Sequence, residues 1–186
     1  MRNADTIDDT YSYKKFSKVF EDFENVLITY RLYNSKDLLY LCESGRIDGI
    51  IIGGSEARVL SETALKLPKK LFTYGIPILG ICYGFQLMMK NFCSTVAIGT
   101  FPNNEERQRK KFLTINIKNF QVPKKMYYFI HHDYIKKIPY TWTRDIVEGD
   151  QIWMAHHNKN IGVQFHPERF PNTGKVFFKK WIDFIS

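Results

Sequence analysis

The chain has 186 residues, of which 44% are apolar and 16% aromatic; that suits one domain with its own core and excludes a disordered chain. Three cysteines, an odd number, exclude a disulfide scaffold, and no apolar run is long enough to span a membrane. The net charge of +8 invites a nucleic-acid partner, but the lysines are scattered along the whole chain, so none is expected.

The opening Met1-Arg-Asn-Ala-Asp-Thr carries a charge but no apolar stretch of a secretory signal, so a cytoplasmic compartment with reduced thiols is expected. Residues 13–23 place Phe16, Val19, Phe20 and Phe23 at helical spacing. Residues 26–30 read as a short strand and 37–42 as a short helix. Gly49-Ile50-Ile51-Ile52 is a continuous apolar run closed by Gly53-Gly54, the pattern of a strand buried on both faces of a parallel sheet. A helix is expected over 61–72, broken or kinked at Pro68. An apolar strand over 76–81 runs into Cys82, and 84–92 reads as a helix.

After about Val96 the pattern changes to strands at 112–117, 126–130, 151–155 and 161–165, then a last helix over 175–185. The alternation in the first half predicts βαβ units, a parallel sheet and helices on both its faces. The second half adds an antiparallel β region. No repeat or linker divides the chain, so residues 1–186 are read as one domain.

Three constellations carry chemistry. Gly80-Ile81-Cys82-Tyr83-Gly84 sets a thiol between a buried strand and a helix, flanked by glycines that admit a tight turn: a nucleophile elbow. A helix N-terminus there favours thiolate, and the Tyr83 amide would face a developing oxyanion. In Gly162-Val163-Gln164-Phe165-His166-Pro167-Glu168, the two functional residues alternate. On an extended segment they share a side, which makes His166 a base and Glu168 its orienting group. The Gly53-Gly54-Ser55 loop ends an earlier strand, where its amides can supply a second oxyanion donor.

Together these runs resemble the triad-type class-I glutamine amidotransferases, in order and in spacing, from about Asp48 to the end. The resemblance implies a flavodoxin-like three-layer α/β sandwich with a mostly parallel central sheet. It implies a Cys82, His166 and Glu168 triad, an oxyanion hole at Gly54 and Tyr83, and substrate contact by Gln86. Tyr83 and the segment Ile130-His131-His132-Asp133 are similar to the GMP synthase branch, whose Ser-His-Gly-Asp segment lines the glutamine site. His131 and Asp133 match there, and Ile130 and His132 depart. Ser55 stands for a common proline, Phe85 for a His or Met, and the apolar first strand of the family is weak.

The implied reaction is glutamine hydrolysis through a cysteinyl-glutamyl thioester, with no cofactor and no metal. Lacking a nucleotide-binding loop, the chain would pass ammonia to a separate synthetase subunit. Two other readings stay open: a free-standing hydrolase of γ-glutamyl amides or peptides, and a catalytically quiet regulatory subunit that keeps the fold. Arg107, Arg109, Lys110 and Lys111 form a local basic cluster, read either as a solvated loop or as a docking patch for an acidic partner. Adjacent His156 and His157 would face opposite sides of a strand and so make no metal site. Cys42 and Cys93 read as buried small hydrophobes.

Overall fold

Three isoleucines in a row, Ile50 to Ile52, need apolar cover on both sides, and the fold supplies it. In the computed structural model, which describes residues 10–24, 26–29, 36–62, 64–92, 96–101 and 108–186, they form strand β1 (Ile50–Ile52). Ahead of it lie helices α1 (Thr10–Phe20) and α2 (Lys36–Glu43). After it come a 3-10 turn at Lys69–Thr73, β2 (Ile78–Ile81), α3 (Tyr83–Phe92) and β3 (Ala97–Thr100). The second half is β4 (Gln108–Ile117), β5 (Phe120–Ile130), β6 (Asp133–Lys137), β7 (Thr143–Glu148), β8 (Gln151–His157) and β9 (Asn160–Val163). A 3-10 turn at Pro167–Arg169 and helix α4 (Pro171–Ile185) complete it.

The central sheet runs β1-β2-β9-β8-β6-β3, with β7 also paired to β8. The pairs β1–β2 and β2–β9 are parallel. Strand β8 runs against β9, β6 and β7, and β3 runs against β6. Five of these seven strands therefore point one way, and only β8 and β3 oppose them. Strand alternation sorts the side chains onto two faces. Leu79, Ile81, Ile161 and Val163 pack with Phe16 and Val19 of α1 and Phe177, Phe178 and Trp181 of α4. On the other face Ile78 packs with Phe85, Met88 and Met89 of α3 and with Cys42 of α2. The three layers and the α/β class are as expected.

The pair β4–β5 forms a separate antiparallel sheet. Its inner side chains, Ile115, Ile117, Phe120, Val122, Tyr127 and Phe129, join the α1–α4 core.

Three expectations fail. No helix forms over the described part of 61–72; the chain stays irregular until the 3-10 turn that follows Pro68. Leu65 and Leu67 there face Tyr83 and Leu87, and the Leu65 amide donates to the Tyr83 hydroxyl at 3.1 Å, a bond a helix would have used internally. Residues 26–29 carry no strand, and Tyr30 lies outside the described residues. Strands β3, β6 and β7 form where none was predicted, because they are short or lie at the margin of the sheet and alternate weakly.

Gly162, in the middle of β9, is required by a neighbour rather than by its backbone. A Cβ there would enter the Phe85 ring, 2.7 Å from its Cγ. Gly162→Ala is expected to destabilise the chain by about 1–3 kcal/mol, the usual range for overpacking. Urea denaturation measures it, and Phe85→Leu in the same chain should recover part of the loss.

Candidate active site

The parallel register brings three strand ends level. Ile52 lies beside Gly80, and Ile81 beside Val163. The residues that follow each end, Gly53-Gly54, Cys82 and Gln164-Phe165-His166, therefore leave the sheet at one edge. The carboxyl ends of parallel strands are where such sheets build their sites.

Cys82 has φ of +53°, a left-handed conformation that a side chain rarely adopts. The strain, about 1–3 kcal/mol for such a residue, is held by bonds on both sides. The Cys82 amide donates to the Val163 carbonyl at 2.7 Å, and the Cys82 carbonyl accepts the Gln86 amide at 3.1 Å as α3 begins. The flanking glycines serve close approach instead of unusual torsion. A Cβ on Gly84 would stand 2.7 Å from the Ile52 carbonyl carbon, so only glycine lets the helix start press against the end of β1. The thiol lies 3.5 Å from the Ile130 carbonyl oxygen of β5.

His166 is extended, with φ −105° and ψ 92°, and its amide donates to the Tyr128 carbonyl at 2.8 Å. Glu168 then turns back on the 3-10 turn 167–169, so the pair is joined by a turn and not by strand alternation. The imidazole Nδ1 lies 2.6 Å from Glu168 Oε1. A carboxylate accepts, so Nδ1 carries the proton and Nε2 is left to exchange one with the thiol. Burial alone would hold the imidazole neutral. Charge interactions and hydrogen bonds with Cys82 and Glu168 beside it outweigh burial and raise its pKa well above the ordinary value.

Gly54 closes the constellation. A Cβ there would stand 2.7 Å from His166 Cε1 and 3.5 Å from Cys82 Cβ, so the loop after β1 lies directly against both residues. Tyr83 follows Cys82 and is buried. Its ring packs with Val59 and Leu67 of that same loop region.

Gln86, His131 and Asp133 meet at one atom. The Gln86 amide group and His131 Nδ1, the latter at 3.1 Å, both donate to the Asp133 carbonyl oxygen. Gln86 also reaches Gln164 Oε1 at 3.2 Å. Burial, and next the nearby Arg109 charge, push the His131 pKa down to about 3. His131 is thus neutral, with its proton on Nδ1 and a bare acceptor at Nε2. That Nε2 and Asp133 Oδ2 are buried acceptors without a hydrogen-bond partner among the described residues.

Known proteins resemble this chain in sequence and in fold. The family model of the class-I glutamine amidotransferases matches residues 12–184. The chain belongs to the class-I glutamine amidotransferases. Curated relatives include glutamine-hydrolysing GMP synthases. That of Prochlorococcus marinus (strain MIT 9515) is 33% identical over 146 residues, covering 74% of this chain and 27% of the relative. That of Clostridium botulinum (strain Hall) is 35% identical over 144 residues, covering 72% and 27%. The chain spans about a quarter of the length of the curated relatives it matches. Its fold resembles that of a Thermoplasma acidophilum protein described as a GMP synthase subunit, with TM-score 0.72 and 19% identity over 93% of this chain and 87% of that one. A solved glutamine amidotransferase gives TM-score 0.57 at 12% identity, over 91% and 93% of the two chains.

Within this amidotransferase domain, sequence reasoning missed Arg58, whose guanidinium pairs with the Asp133 carboxylate at 2.7 Å. No local pattern could have shown it, because the partners are 75 residues apart. The basic cluster is not a loop patch. Arg107 lies outside the described residues, while Arg109 turns inward from β4, stacks on Trp153 and Phe129 at 4.9 and 5.2 Å and donates to Gln151 at 2.5 Å. Lys110 and Lys111 are exposed, and Lys111 pairs with Glu148. His156 and His157 have separate partners, the Asp145 carboxylate and the Thr141 carbonyl. Cys42 is buried, and Cys93 lies outside the described residues. Among the described residues no cluster of His, Cys, Asp and Glu could hold a metal, and no helix is long and apolar enough to cross a membrane.

Proposed function

We propose that this chain acts as one cytoplasmic glutaminase domain, hydrolysing the side-chain amide of glutamine at Cys82 and supplying ammonia to a separate synthetase subunit on the pattern of GMP synthase. The observation that carries the reading is the placement of Cys82, His166 and Gly54 against one another, with Glu168 bonded to the imidazole, around a strained elbow. The thiolate attacks the amide carbon, and the carbonyl electrons move to the oxygen, facing the amides of Gly54 and Tyr83. His166 gives its Nε2 proton to the departing nitrogen, ammonia leaves, and a glutamyl thioester forms. His166 then takes a proton from water as the hydroxyl adds to the thioester, and collapse expels the thiolate with glutamate.

Gln86, His131 and Asp133 are the proposed substrate contacts. The α-ammonium of glutamine is a donor suited to His131 Nε2 and Asp133 Oδ2, buried acceptors with no partner among the described residues. The test is glutamate and ammonia release from glutamine, by the chain alone and mixed with a separately expressed GMP synthase synthetase subunit. Equal amounts of the two products, raised by the synthetase subunit, are expected. Turnover of a γ-glutamyl peptide with none of glutamine, in either mixture, would overturn the reading.

A further inference from the structure

The loop that brings Gly54 to the triad has little of its own to hold it. Ser55, Glu56 and Ala57 are exposed, and the one side-chain bond within it is from the Ala57 amide to Ser55 Oγ at 3.1 Å. Its anchorage begins at the next two residues. Arg58 Nη2 reaches Asp133 Oδ1 at 2.7 Å and Thr100 Oγ1 at 3.1 Å, and Thr100 itself donates to Asp133 Oδ1 at 2.9 Å. Val59 is fully buried, and its carbonyl accepts Lys90 Nζ of α3 at 2.7 Å.

The two ends of the Arg58 pair differ in kind. The Asp133 carboxylate is 1% exposed, whereas the Arg58 side chain is 44% exposed. A carboxylate so deeply buried needs its cation, and loss of the cation leaves it uncompensated. Asp133 is also the residue whose carbonyl holds Gln86 and His131. One residue thus ties the pocket wall through its backbone and the Gly54 loop through its side chain.

We propose that Arg58 is a positioning residue for the oxyanion hole: by latching onto Asp133 and Thr100 it fixes the loop that carries Gly54 against Cys82 and His166. An oxyanion donor works only within about 2.7–3.1 Å of the developing charge, so a loop free to shift a few tenths of an ångström loses it. The latch rests on Cys82 as nucleophile and Gly54 as donor, and not on glutamine being the substrate.

The test separates a reaction that needs the hole from one that does not. Acylation of Cys82 by p-nitrophenyl acetate passes through a tetrahedral oxyanion; its alkylation by iodoacetamide is a direct displacement without one. Arg58→Ala is expected to slow the acylation burst at least about tenfold, short of the 10²–10³ that follows outright loss of a donor. Alkylation of Cys82, read by peptide mass, should stay within about twofold. Arg58→Lys, which offers Asp133 a single charged point, should recover part of the acylation rate. If the alanine chain has no melting transition, the lysine chain carries the same comparison against the wild type.

Equal slowing of both reactions, or of neither, overturns the latch and leaves a pair that only stabilises the fold. Arg58-dependent acylation in a chain that releases no ammonia keeps the latch and removes the glutaminase reading. Glutamine turnover with Arg58-independent acylation does the reverse.

Discussion

Cys82→Ala is expected to lower ammonia release from glutamine by at least about four orders of magnitude, to the background of the assay. Removing the nucleophile of a catalytic triad costs on the order of 10⁶ in kcat in the best-measured hydrolase, with only a residue of oxyanion-hole catalysis left. No other described thiol can stand in. Cys42 is buried on the opposite face of the sheet, among Leu71, Ile78 and the α3 methionines. The substitution keeps the elbow, because the bonds that hold it are made by the backbone of residue 82 to Val163 and Gln86. Its melting temperature should therefore stay within a few degrees of the wild type. A variant of normal stability that still turns over more than a few per cent as fast would remove Cys82 from the chemistry.

Glu168→Gln should cost roughly 10²–10⁴ in kcat, by analogy with the loss when the orienting carboxylate of a triad becomes an amide. It should also change the pH profile in a defined direction. In the wild type, burial opposes the imidazolium of His166, and the charges of Cys82 and Glu168 override it, so the protonated ring persists well above pH 6.5. Acylation needs that proton, and activity falls as pH rises through the raised pKa. With one of the two anions gone, the alkaline limb of kcat/KM must move to lower pH. The linked stability has the same sign. A raised pKa in the folded state stabilises the fold fully below about pH 6.5, the ordinary value, and the contribution is lost as pH rises through the folded value. The stability gap between wild type and Glu168→Gln should accordingly be widest on the acid side and close towards alkaline pH. A gap that widens with pH would contradict the assignment of charge.

The grouping of Cys82, His166 and Glu168 was legible in the sequence because each part is a local signal. The elbow is five consecutive residues, and His166 with Glu168 spans three. The strand alternation expected to unite that pair is nonetheless not what does so: Pro167 starts a 3-10 turn, and the turn brings the carboxylate to Nδ1. The helix expected over 61–72 shows the opposite failure. Leu65 and Leu67 have helical company in sequence, but a single hydroxyl, that of Tyr83, captures the Leu65 amide and the segment stays open. Arg58 was invisible for a different reason, since its role exists only where three strand ends and a loop meet. Asp133 was found by motif, yet the motif said nothing of its buried carboxylate and the arginine that balances it.

Strand β9 lies between β2 and β8, and its pairing with β2 joins Ile81 to Val163 across a long stretch of intervening chain. Such a contact closes a long loop, and its entropy is lost before the pairing returns anything, which places it late in folding. A chain emerging from a ribosome therefore carries its thiol for some eighty residues before any base can reach it. The elbow has no Val163 carbonyl to hold its torsion until then, so the Cys82 turn and His166 take their places in one event. On the proposed chemistry the middle of the sheet is thus also a safety catch: an unfinished copy would be inert not by mutation but by missing its keystone.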